Sequence, residues 1–214
     1  MTAVLASCWP VYTMARPRRI YIPDTSVHVI QRGNNGGCIF ADSRDNETFL
    51  RLLQLAIAHY DVAIHAFVLM STHYHLLATP SDEDALPSVI QYVAGQYTKY
   101  YNRRHGRMGT LWNERYRGIL VLNEAYWLTC LRYIDQNPVR AGMVVTPDAY
   151  RWSGYAFHAG DRNSVDWLTE HAVYTALGRT AEIRRAAYKA ICGVSLTESE
   201  LELHRHIKGQ TLYV

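Results

Sequence analysis

Cysteine is scarce in this chain and is never paired. Cys8, Cys38, Cys130 and Cys192 are scattered through 214 residues with no Cys-x-x-Cys among them. That excludes zinc-knuckle spacing and leaves reduced thiols in a cytoplasmic protein as the simple expectation. No apolar run is long enough to cross a bilayer, and no internal repeat or low-complexity tract is present. Residues 1–13 are mildly apolar but carry no basic segment ahead of their apolar part, so they make a poor secretory signal. Charge of one sign is also lacking in bulk. The net charge is only +3, too little to announce a nucleic-acid partner by itself. Phenylalanine is rare, at 4 residues against 16 tyrosines. Tyrosine beside arginine suits stacking and hydrogen bonding to unpaired bases, and equally suits a half-exposed helix face.

What is present describes an ordinary globular chain. Hydrophobic residues make up 49% and charged residues 19%, enough for a real core and too apolar for disorder except at the ends. Basic residues cluster locally: Arg16, Arg18 and Arg19 near the start, then Arg103, Arg104, His105 and Arg107, then Arg115 and Arg117. Such clusters contact phosphates or merely confer solubility. A second methionine, Met14, opens the first cluster, so translation is expected to begin there. Residues 1–15 are then a disordered or mis-started extension. A peptide from 2–13 in the mass spectrum of the native protein would refute this.

The element order follows from periodicity. Residues 25–32 are β-branched and partly alternating, a strand; 33–37, rich in glycine, form a loop. Asp42 or Ser43 caps a helix running to about Tyr60, with Phe49, Leu50, Leu52, Leu53, Ala56 and Ile57 at helical spacing. Residues 62–79 read as a hairpin broken at Ser71-Thr72. Residues 81–84 cap a second helix, with Val89, Ile90, Val93, Tyr97 and Tyr100 inward, ending near Gly106. Residues 118–122 give a fourth strand. Asn123 caps a helix to about Asn137, stopped by Pro138. The order strand, helix, strand, strand, helix, strand predicts an α+β fold: a ferredoxin-like split βαβ antiparallel sheet with helices on one face. The helix from Glu124 is an added element. Residues 16–155 form the main domain, and 156–214 a C-terminal helical extension, best formed over 181–191.

Chemistry centres on Met70-Ser71-Thr72-His73-Tyr74-His75-Leu76-Leu77. On a strand, His73 and His75 share one face and Tyr74 takes the other. Two adjacent imidazoles can grip a divalent ion if a third ligand arrives from elsewhere; otherwise they simply cover a sheet face. A two-residue loop pairs His73 with Met70 and His75 with Val68. His65, a possible fourth ligand, then has the opposite parity and faces away, although a one-residue slip would reverse that. On the helix after strand four, Tyr133 and Asn137 lie one turn apart and share a face. The Asn137 side-chain carbonyl could complete a metal site. The Tyr133 hydroxyl could approach a phosphorus there, given activation of a weakly nucleophilic phenol. The bland alternatives are a core aromatic and a helix-end amide. Tyr97, Tyr100 and Tyr101 are rival nucleophiles, better read as packing or DNA contacts. Glu114 and Asp135 are more readily solvated surface charges than accessory acids or bases.

The segment 70–77 resembles the HUH motif (His, apolar residue, His) of single-tyrosine HUH transposases. Gly109-x-Leu-Trp-x-x-Arg-Tyr116, Tyr133-Ile-x-x-Asn137-Pro-Val-Arg-Ala-Gly142 and Tyr150-x-Trp-Ser153 are similar to further blocks of that family, and the ordered set is far more specific than the His-x-His alone. The branch resembled is the REP-associated tyrosine transposases, over roughly residues 16–155. The resemblance implies the HUH endonuclease fold and cleavage and rejoining of single-stranded DNA through a 5′-phosphotyrosine. It implies Tyr133 as nucleophile, and His73, His75 and Asn137 holding a divalent metal, Mg2+ or Mn2+. Its partner would be a hairpin-forming palindrome with a short flanking single strand, bound by a monomer or homodimer. Arg16, Arg18 and Arg19 are candidates for guiding that strand, and Arg103, Arg104, Arg115 and Arg117 for phosphate contacts. Tyr74 stands where the pattern prefers an aliphatic residue; facing away from the histidines, it should be tolerated. A competing class is a non-catalytic module binding single-stranded DNA or RNA, and a third is a metal-dependent hydrolase that forms no covalent adduct.

Overall fold

The computed structural model describes residues 21–160 and 166–207. The expected extension 1–15 and the cluster Arg16, Arg18 and Arg19 lie outside these described residues.

Four strands form one antiparallel sheet. They are β1 (Val27–Arg32), β2 (Val62–Met70), β3 (His73–Pro80) and β4 (Arg117–Leu120), in the order β2-β3-β1-β4. Helix α1 (Ser43–Tyr60) crosses from β1 to β2, and β3 fills the place between them. This is the split βαβ arrangement expected from element order. Helix α2 (Ala85–His105) packs beside α1.

Local chemistry sets the ends of these elements. The Asp42 carboxylate accepts from the backbone N–H of Arg44 and Asp45 and caps α1; removing such a cap costs about 1 kcal/mol. Gly106, at φ 61°, closes α2 in the left-handed conformation that glycine adopts without penalty. The hairpin turns through Ser71 and Thr72, pairing Met70 with His73 and Val68 with His75, as expected. That turn is braced from outside. The Gly33 N–H donates to the Thr72 carbonyl, and the Ile39 N–H to the Ser71 carbonyl. A Cβ on Gly33 would lie 2.3 Å from the Gly37 carbonyl oxygen, so only glycine fits there.

Strand alternation divides the sheet's two faces. Val27, Val29, Phe67, Leu69, Tyr74 and Leu76 pack against Phe49 and Leu53 of α1 and Val89, Val93 and Tyr97 of α2. The added helix α3 (Glu124–Asp135) covers the opposite face. Its Trp127, Cys130, Leu131 and Ile134 meet Ala66, Val68, Met70 and Leu77. Each large apolar side chain buried in these layers contributes roughly 1.5–3 kcal/mol. Asn123 caps α3 by accepting from the Tyr126 N–H. Pro138 does not stop the helical path. The chain bends at Gln136 and continues as α4 (Asn137–Arg140) with the proline in its first turn, where a missing N–H costs nothing.

Beyond α4, residues 150–154 run along the outer edge of β2. The Leu69 N–H donates to the Trp152 carbonyl and the Gly154 N–H to the Phe67 carbonyl. Then come α5 (Tyr155–Ala159), α6 (Ala172–Thr175), α7 (Ala181–Cys192) and α8 (Glu198–Ile207). Tyr155, Tyr174, Tyr188 and Cys192 share a core cluster with α3. No helix of the described residues is long and apolar enough to cross a membrane.

Candidate active site

The candidate site residues lie on the face under α3. On β3 it holds His73 and His75; on β1 it holds His28, Ile30 and Arg32, which alternate with the core residues Val27 and Val29. His75 is almost fully buried, at 1% exposure, and His73 is half-buried. Their ring centroids are 5.2 Å apart. The Thr72 hydroxyl lies 3.1 Å from His73 Nδ1. Tyr74 points to the other side as expected, and its hydroxyl donates to Gln31 at 2.8 Å.

Helix α3 brings Tyr133 to the same place. Its ring lies edge-on to His75 with centroids 5.6 Å apart, and to His28 at 6.0 Å. From α4, Asn137 sets its amide nitrogen 3.3 Å from His75 Nε2. The Arg140 guanidinium sits 4.4 Å above the ring of the buried Tyr133, a cation–π contact. The helix-face argument thus brings Tyr133 and Asn137 together, and the strand-face argument brings His73 and His75 together. The tertiary fold joins the two pairs. Among the described residues no group of three or more His, Cys, Asp or Glu side chains could hold a metal ion. Asn137 carries an amide oxygen, a donor type that suits ions such as Mg2+ or Mn2+, and it stands beside His75, so the residues present fit such an ion.

Two residues of this site escaped the reading of the sequence. His28 is fully buried, with Nε2 2.8 Å from His75 Nδ1. Arg32 is exposed at the end of β1, directly opposite His73. Beside it a cavity of about 300 Å³ is lined by Ile30, Gln31, Arg32, Asn113, Glu114, Arg115 and Arg117. Ile30 stands between His75 on one side and Arg117 on the other, so a basic strip leads from the histidines to the sheet edge. Alternation in 25–32 puts His28 off the apolar face, but only cross-strand register reveals its partner.

The other candidates separate. Arg115 and Arg117 are exposed on this strip, and Arg117 is bridged to Glu114 at 3.1 Å. Arg103 is exposed on α2, across the sheet from the histidines. Arg104 does not offer a free cation: Asp42 and Asp45 both hold its guanidinium, the latter carboxylate wholly buried. This ion pair ties α1 to α2. Tyr97, Tyr100 and Tyr101 pack on the α2 side and donate to Ile39 O, Asp45 and Cys38 O. Burial raises the Tyr97 hydroxyl far above its ordinary value and pushes Tyr101 up to about 12. Asp135 corrects the expectation of a solvated charge: it is fully buried and accepts from the Tyr188 hydroxyl at 2.6 Å. Burial, partly offset by that bond, pushes its carboxyl up to about 7.

His65 also departs from its expected parity. A β-bulge between Ile64 and Ala66 turns it onto the α3 face, where its ring meets Trp127. It is no fourth ligand, because both ring nitrogens are engaged, one by the Thr169 carbonyl and the other by the Thr79 hydroxyl, each at 2.8 Å.

A REP-associated tyrosine transposase solved bound to a REP hairpin matches with a TM-score of 0.57 and 20% identity, covering 75% of this chain and 96% of that one. The likeness shows a shared fold. A putative transposase from Deinococcus radiodurans R1 matches at TM-score 0.40 and 16% identity, over 52% of this chain and 89% of that one. A tRNA(His) guanylyltransferase from Saccharomyces cerevisiae matches at 0.37 and 10%, over 86% and 84%. No curated protein matches by sequence. Residues 22–137, which span every strand of the sheet and reach from before His28 to Asn137, match the family model described as "Transposase IS200 like", and the chain belongs to that transposase family.

Proposed function

We propose that this protein nicks and rejoins single-stranded DNA, with Tyr133 as the nucleophile, acting on hairpin-forming palindromes of the REP type. One observation carries the reading. Tyr133, His75 and Asn137 converge on one face of the sheet within a single chain, with the Tyr133 ring 5.6 Å from that of His75 and Asn137 in contact with His75. Packing alone requires no such triad. The partner proposed is the kind bound in the similar structure, a REP hairpin.

In the forward step the phenolic oxygen of Tyr133 attacks the phosphorus and loses its proton. The bond from phosphorus to the 3′ oxygen breaks, and that oxygen leaves as a 3′-hydroxyl after taking up a proton. The 5′ side stays on the tyrosine as a phosphodiester. Rejoining is the reverse, with a 3′-hydroxyl attacking the phosphotyrosine. His73, His75 and the Asn137 amide would hold a divalent ion, Mg2+ or Mn2+. Neutralisation of phosphate charge and polarisation of the phosphorus are the chemistry such an ion supplies when bound. Tyr133 enters from α3 with its ring edge-on to that of His75, on the same side of the sheet as the proposed ligands, the kind of placement that in-line attack needs. Arg32, Arg115 and Arg117 supply phosphate contacts along the strip toward the sheet edge.

The test is a labelled REP-type hairpin oligonucleotide incubated with Mg2+ or Mn2+. A covalent protein–DNA adduct is expected from the native protein and not from Tyr133→Phe. Cleavage that persists in Tyr133→Phe would indicate a metal-dependent hydrolase. Binding with no adduct under any condition would indicate a non-catalytic module.

A further inference from the structure

We infer that His28 is a positioning residue for His75, fixing the ring orientation and tautomer that leave His75 Nε2 with its lone pair facing Asn137 and Tyr133. The inference rests on the reading of the site given above and extends it to a residue outside the His-x-His motif. His28 has no exposed surface. Its cross-strand partner on β3 is Leu77, so His75 is its diagonal neighbour, and the two rings stack with centroids 5.1 Å apart. The His28 Nε2 to His75 Nδ1 distance is 2.8 Å, a full hydrogen bond.

The tautomer follows from counting protons. A neutral imidazole has one N–H and one lone pair. His75 Nδ1 is taken by His28, so Nε2 is the nitrogen that can face a ligand, and a ligating nitrogen must be unprotonated. The proton then belongs on Nδ1, donated to His28 Nε2. With the Asn137 amide nitrogen turned to it, 3.3 Å from His75 Nε2, this tautomer can accept there from the amide N–H. Histidines that ligate metals are ordinarily oriented through their second nitrogen by a carboxylate, carbonyl or water. Here another imidazole takes that place. The same His28 ring meets Tyr133 edge-on, so one buried side chain backs both a proposed ligand and the proposed nucleophile.

The experiment uses the full chain in three forms: native, His28→Leu and His28→Gln. Long-range 1H–15N spectra of the metal-free native protein should show His75 protonated at Nδ1 and bare at Nε2. Titration with Mn2+ by calorimetry should show His28→Leu weakened by about 10- to 100-fold, the usual effect of losing such an orienting partner. His28→Gln, whose carbonyl can accept from Nδ1, should recover most of that loss, which a role in packing alone would not do. Unfolding midpoints recorded in parallel identify a variant that fails to fold; the native spectrum and His28→Gln then decide. A native His75 protonated at Nε2, or His28→Leu binding Mn2+ as tightly as the native protein, overturns the inference. Native protein that binds no Mn2+ overturns the metal-site reading itself, and the inference falls with it.

Discussion

His65 shows how much one extra residue in a strand can decide. Strict alternation sends it away from the His73 face; the bulge at Ile64/Ala66 brings it back, because a bulged strand places two residues against one. Once there it is buried between Thr79 and Thr169, and burial lowers its pKa from 6.5 to about 4. A folded-state pKa below the unfolded one means that the neutral ring's contribution is present above pH 6.5. It is lost as pH falls from 6.5 through 4, where the unfolded chain binds the extra proton. The full swing is of order 3 kcal/mol. His65→Gln keeps hydrogen-bonding capacity without titrating, so its urea midpoint should fall less steeply than that of the native protein between pH 7 and pH 4. Parallel slopes for the two would contradict the assignment.

At the scale of elements, α3 is held from both sides. Its apolar face meets the sheet, while Arg132, Asp135 and Gln136 reach into the C-terminal layer. Arg132 pairs with Glu200 and donates to the Val194 carbonyl; Gln136 donates to the carbonyls of Cys192 and Val194. Asp135 takes the Tyr188 hydroxyl. These anchors alternate with Tyr133 and Asn137 along the same turns, so the C-terminal helices set the height and rotation at which the two site residues meet the histidines. Tyr188→Phe leaves a buried carboxylic group short of a donor and should cost about 1–3 kcal/mol in urea unfolding. It should also slow adduct formation at a temperature where the variant is still folded. A stability loss with unchanged adduct formation would separate the layer from the site.

For the whole molecule, the sheet divides its labour by face: one side is core against α1 and α2, the other holds the proposed site beneath α3. Tyr133 meets the histidines of its own chain, so each protomer is expected to be complete. Mixing Tyr133→Phe with His73→Ala should restore no adduct. Recovery of activity in the mixture would mean that α3 exchanges between protomers and that the tyrosine acts in trans.

Much of this was legible in consecutive residues. Caps at Asp42 and Asn123, the turn at Ser71-Thr72, the shared face of His73 and His75 and the shared turn of Tyr133 and Asn137 depend on local backbone geometry, which alternation and helical spacing expose directly. What stayed hidden depends on register and packing between distant segments. His28 and His75 are 47 positions apart, and only the β1–β3 pairing makes them neighbours. The Asp42–Asp45–Arg104 ion pair, the burial of Asp135 and the parity of His65 arise the same way, from where whole elements settle. Local pattern was enough for the split βαβ order and for the two proposed residue pairs. That α3 crosses the opposite face and brings those pairs together over His28 came from packing, because the energy that fixes a sheet's register and a helix's seat is shared across the whole core.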